Sequence, residues 1–223
     1  MEYALLQAVF LPLLLSPLAY IIGRKVGHTA ATWFTFGLLL YCTILVITAS
    51  IDGTYEEHYP WTELFGEFGL LLDGLAAPFA IMIYVLCTIL ALYSKPYMLH
   101  KFQDFFKEQA PKPVYQSDGT TLQSISLEKF VNRQSGVYYA LFLVFSMGML
   151  GTVLATNLIE FYIFFEVMLI PAFLLVGFWG DYPRLRIALM FFFWTHVGAV
   201  ILLLGLLAIG LNVGSFDFAD INE

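Results

Sequence analysis

Apolar and polar positions along the chain alternate in long blocks rather than in the short periods of a soluble fold. Six apolar runs fall at about 3–22, 30–50, 74–93, 137–156, 157–178 and 187–211, each close to the ~20 residues a bilayer-spanning helix needs. The pattern predicts an all-α integral membrane protein, a single membrane domain over 1–223 with six transmembrane helices. The first run starts Met1-Glu2-Tyr3, without a basic lead, and ends in Arg24-Lys25 instead of a small-residue cleavage site. A retained span is therefore expected there rather than a signal peptide.

The joints differ in character. Gly23 to His28 is short and basic, whereas Ile51 to Leu72 is acidic and aromatic, with Asp52, Glu56, Glu57, Glu63 and Glu67. Alternation from Trp61 to Leu70 predicts a short hairpin at the membrane surface, and Asp73 is placed to cap the third span. Residues 94–136 form the longest polar segment, expected as a cytoplasmic loop. It opens with an amphipathic piece, Tyr97 to Glu108, whose Phe102, Phe105 and Phe106 suit the membrane interface. Pro111, Pro113 and a Ser/Thr/Gln-rich stretch follow.

Composition agrees with the pattern: 60% hydrophobic and 12% charged residues set the chain apart from soluble domains. The net charge of −7 matters less than where the charges fall. All ten Lys and Arg residues lie in the joints one–two, three–four and five–six, so the positive-inside rule predicts both termini outside the cytoplasm. Lipid and other membrane subunits are the expected partners, and nucleic acid is not. Cys42 and Cys87 sit in apolar runs without a metal-ligand spacing and read as packing residues.

Chemistry concentrates between Asn157 and Gly180. Glu166 lies about nine residues into the fifth span, roughly 13–14 Å deep in a ~30 Å core. An ionised carboxylate there is costly, and such groups by default mark ion pathways. Pro171, five residues on, removes a helical N–H and marks a helix defect. Glu160 sits near the outer end of the same helix on a different face, where it can reach water, and His196 lies ten residues into the sixth span; both are candidate relay residues. The bland alternative for Glu166 is a neutral carboxylic acid fixed between helices. The sequence holds no phosphate-cradling loop, haem-type histidine pair or iron–sulfur cysteine set, so neither a cofactor nor a metal is expected in this chain.

The stretch from Tyr138 to Gly180, with its core F-F-E-V-M-L-I-P, resembles the antiporter-like proton-translocating subunits of respiratory complex I, most of all the M-type (chain 4) subunit. Leu72 to Phe79, L-D-G-L-A-A-P-F, is similar to the opening of that family's third helix, which follows an external hairpin. The resemblance implies that Glu166 is the acid half of a Glu–Lys switch whose lysine lies on a broken seventh helix. Family members continue well past six spans as inverted repeats, so the resemblance covers their front part, and a split or truncated subunit is the expectation. It further implies partner subunits in an energy-transducing membrane that carry flavin, iron–sulfur clusters and quinone, among them a chain supplying the missing helices and lysine. The 94–136 segment is longer than the family pattern implies and suits docking of a neighbouring subunit. Membership of a cation/proton antiporter or membrane-bound hydrogenase is the alternative within this class. A purely structural membrane subunit is the alternative outside it.

Overall fold

The computed structural model describes residues 3–51, 53–62, 65–109 and 122–221. The expectations for Asp52, Glu63, Pro111, Pro113 and the Ser/Thr/Gln-rich stretch before residue 122 lie outside them. The elements are α1 (Ala4–Lys25), α2 (His28–Ile51), β1 (Tyr55–Thr62), β2 (Gly66–Leu72), α3 (Ala76–Gln109), α4 (Leu122–Leu154), α5 (Leu158–Trp179), α6 (Arg184–Val213) and α7 (Phe218–Ile221). The six long helices are each apolar enough to cross a membrane, and the chain is an integral membrane protein.

Helices α1 to α4 form the packed core and α5 adds to α4; α6 packs mainly on α5. The α1–α4 crossing depends on absent side chains. A Cβ on Gly23 would stand 2.5 Å from the Gly136 Cα, so the two glycines let the backbones touch, which is how membrane helices gain dispersion contact. The seat of α5 on α4 is built in the same way: a Cβ on Gly151 would fall 2.3 Å from the Phe164 ring, and one on Gly148 2.8 Å from the Met168 Cβ.

Every described Lys and Arg lies at one end of this up-and-down bundle. The end is tied by His28, whose ring contacts the Ser135 hydroxyl at 2.7 Å and the Lys95 carbonyl at 2.8 Å. The β1–β2 hairpin closes the opposite end, antiparallel with Tyr55 opposite Leu72 and His58 opposite Gly69. It is longer than the alternation at Trp61 to Leu70 predicted, because that stretch contains the turn as well as parts of both strands. Leu70 and Leu72 point into the core. Glu57 reaches out of the hairpin to accept the Leu5 and Leu6 N–H groups at 3.0 and 2.9 Å, satisfying donors that a helix start leaves open. Asp73 accepts from the Leu75 and Ala76 N–H groups at 3.0 and 2.7 Å, the cap its position predicted.

The segment 94–136 departs from the expected loop. Helix α3 continues without interruption to Gln109, and α4 already begins at Leu122. Phe102 does not lie in a lipid interface: it is fully buried with Met98, Val131 and Trp179 in a second apolar cluster at the basic end. The physical reason is spacing, since Met98 and Phe102 are one helical turn apart and face the same neighbour. Arg184 stacks over the Phe105 ring at 4.4 Å, while Asp181 pairs with Lys101.

Candidate functional site

Asn157 fixes where α5 begins. Its side-chain oxygen accepts the Ile159 N–H at 2.9 Å, and its amide donates to the Phe65 carbonyl at 2.6 Å and to Asp217 Oδ1 at 2.7 Å. The cap therefore joins α5 to the hairpin and to the tail before α7. From that start the helix runs unbroken through Pro171 to Trp179. Pro171 lacks an N–H, so the Val167 carbonyl one turn earlier has no helical donor from that position. The carbonyl belongs to the residue after Glu166.

Glu166 faces α6. Its side chain is 20% exposed, and Oε2 lies 3.5 Å from His196 Nδ1. That spacing suits an ion pair but is long for a hydrogen bond. Oε1 and Nδ1 are both buried, and neither has a hydrogen-bond partner among the described residues. His196 is held from one side by Phe192, whose ring stacks on the imidazole at 5.0 Å, and Phe192 in turn packs on Phe173. Tyr162, one turn before Glu166, interacts with its carboxylate. A carboxyl and an imidazole held this loosely can exchange a proton without breaking a tight bond. Neither needs a metal for that, and no cluster of metal-ligating side chains occurs among the described residues.

The structure thus brings two of the sequence-chosen residues together and leaves the third apart. Glu160 lies near the hairpin end of α5, away from the pair. It was expected to reach water and does not: it is 1% exposed, with Oε2 accepting the Gly69 N–H at 3.2 Å. The hairpin and the tail cover it, and neither could be placed over α5 from periodicity alone. His58 was not singled out from the sequence. Its ring lies between Glu56 and Glu67, at 2.7 and 3.3 Å. The strand period offers the signal, since residues 56 and 58 share a face and residue 67 lies diagonally across from 58.

The hairpin-end groups outside the membrane spans also include Tyr59, whose hydroxyl donates to Glu57 at 3.0 Å. Burial first, and that carboxylate second, hold it well above the usual phenol range. At the basic end, the Lys101 ammonium holds the exposed Asp181 carboxyl below its ordinary value.

Residues 155–223 match the family described as NADH:quinone oxidoreductase/Mrp antiporter, TM. NADH-quinone oxidoreductase subunit M of Rickettsia typhi is 30% identical over 190 residues, covering 84% of this chain and 31% of that protein. A chain of respiratory complex I from Thermus thermophilus superposes with a TM-score of 0.66 at 25% identity, covering 97% of this chain and 38% of that one. A chain of the Mrp complex from a Dietzia species shares the fold, with a TM-score of 0.65 at 22% identity over 98% of this chain and 20% of that one. The chain spans about a third or less of the length of the curated relatives it matches. The likeness read from F-F-E-V-M-L-I-P is found in the family match, in the relatives and in the fold.

Proposed function

We propose that this relative of the antiporter-like membrane subunits shared by NADH:quinone oxidoreductases and Mrp antiporters works as the front part of a proton-translocating subunit in a quinone oxidoreductase of the complex I type. Glu166 is the proton-carrying acid and His196 its partner on α6. The observation that carries this reading is the geometry of that pair: a mid-span carboxylate 3.5 Å from an imidazole, with one oxygen left without a partner. A structural acid in a membrane is satisfied by its neighbours, because each unmet polar group costs several kcal/mol there. An acid that must gain and lose a proton is left partly unmet.

Electrons do not pass through this chain. Flavin, iron–sulfur clusters and quinone belong to partner subunits, and the energy they release reaches Glu166 as a moving charge. No Lys or Arg lies mid-span among the described residues, so that charge comes from a membrane segment packed against α6. The outer face of α6 is open for it, with Trp194 73% and Leu204 63% exposed. The start of α1 and the end of α6 lie on the side away from the cytoplasm in this reading, since the basic joints share the other end of the bundle.

The test is Glu166→Gln in the assembled complex. Proton translocation per electron pair falls at least tenfold while subunit composition is unchanged. Unaltered pumping in the variant refutes the assignment. A cation/proton antiporter is the second reading, favoured by the family description and by the Mrp fold neighbour. Transport that requires sodium and proceeds without a redox donor selects it.

A further inference from the structure

A second ionisable group sits at the far end of α5 and takes no part in the Glu166–His196 pair. Glu160 is buried, Oε2 takes the Gly69 N–H, and Oε1 has no hydrogen-bond partner among the described residues. Its carboxyl interacts with the Thr156 backbone and with Asp217. Thr156 and Asp217 also line an open cavity of about 300 Å³, together with Glu56, His58, Glu67 and Asp220. The carboxyl therefore neighbours two residues of the cavity lining.

Residue 69 has to be a glycine to let its neighbours approach. A Cβ there would lie 2.2 Å from Thr156 Oγ1 and 3.1 Å from His58 Nδ1. The hydroxyl, the imidazole and the Gly69 backbone converge at this point, with Glu160 bonded to the inner side of the same residue. The other charged groups are all acidic: Glu56 and Glu67 on the hairpin, Asp217 and Asp220 on the tail, and Glu57, which is committed to the start of α1. Every described Lys and Arg lies at the opposite end of the bundle. An opening lined with one sign of charge concentrates counter-ions, protons included.

We propose that Glu160 and His58 form the port through which protons pass between the α5 path and the aqueous phase on the hairpin side. The proposal rests on the proton-translocating reading above. In the outward direction the Glu160 carboxyl gives its proton, by way of water in the cavity, to the neutral His58 imidazole. The imidazolium, held between Glu56 and Glu67, releases it to water in the cavity, and the Glu160 carboxylate is reprotonated from the Glu166 side. No electrons move and each proton is accounted for.

The experiment uses the assembled complex in sealed vesicles, comparing wild type, Glu166→Gln, Glu160→Gln and His58→Gln. The port predicts that Glu160→Gln and His58→Gln each slow translocation about tenfold or more. It also predicts that added imidazole buffer on the hairpin side restores the His58→Gln rate, which a merely structural histidine would not allow. If Glu160→Gln fails to assemble, His58→Gln and its rescue decide the matter alone. Normal translocation by His58→Gln, or slowing that imidazole does not relieve, overturns the port. If Glu166→Gln is dead while both port variants pump normally, the port falls and the Glu166 assignment stands. If Glu166→Gln pumps normally, the assignment on which the port rests falls with it.

Discussion

Two glutamates in this chain differ in how firmly they are held. Glu57 is committed: it accepts from two backbone N–H groups and the Tyr59 hydroxyl, all within 3.0 Å. Glu166 interacts with the Tyr162 side chain, but among the described residues its Oε1 has no hydrogen-bond partner and its Oε2 lies 3.5 Å from an imidazole. Charge-assisted bonds to orphan helix donors are worth roughly 1–3 kcal/mol when one side is removed. Glu57→Ala should therefore lower the thermal midpoint of the purified complex and make the hairpin more sensitive to protease. An unchanged midpoint and cleavage pattern would show that the hairpin does not need this cap.

At the scale of elements, α5 works because it is pinned at both ends. Asn157 ties its start to the hairpin and tail. Just past its other end, the Asp181–Lys101 pair ties the α5–α6 joint to the long α3. Lys101 lowers the Asp181 pKa below its ordinary 3.8. A depressed carboxylate contributes above its unfolded value, and the contribution disappears as pH falls through the folded one. The tie should accordingly hold at neutral pH and release only below about pH 3.8. A spin-label distance between α3 and the α5–α6 joint that is constant from pH 8 to 5 and lengthens under strong acid matches this. Lengthening near neutral pH contradicts it. Both charges are exposed, so the pair sets position more than stability.

For the molecule as a whole, most of the architecture could be read from the sequence, because a bilayer forces long apolar helices and little else. The lengths of α3 and α4 could not. Their polar extensions pack on each other through Met98, Phe102 and Val131, and a hydropathy block cannot show that a polar-faced helix continues past the membrane. Glu166 stood out as an acid in an apolar run. Its pairing with His196 did not, although reflecting residue 166 about the turn near 181–182 lands at about 197, as antiparallel neighbours joined by a short turn require. The burial of Glu160 and the grouping of His58 with Glu56 and Glu67 depend on where the hairpin folds over α5, a contact between residues ~90 positions apart that no local pattern carries. The sequence pattern is strongest where the membrane dictates the answer and weakest at the hairpin end, where water returns.

The central claim is that Glu166 changes protonation during turnover. Infrared difference spectra of the assembled complex, recorded before and during turnover, test it most directly. The account predicts a protonated-carboxyl band that rises and falls with turnover and is missing in Glu166→Gln. A spectrum without such a band, or one that Glu166→Gln leaves unchanged, would contradict it.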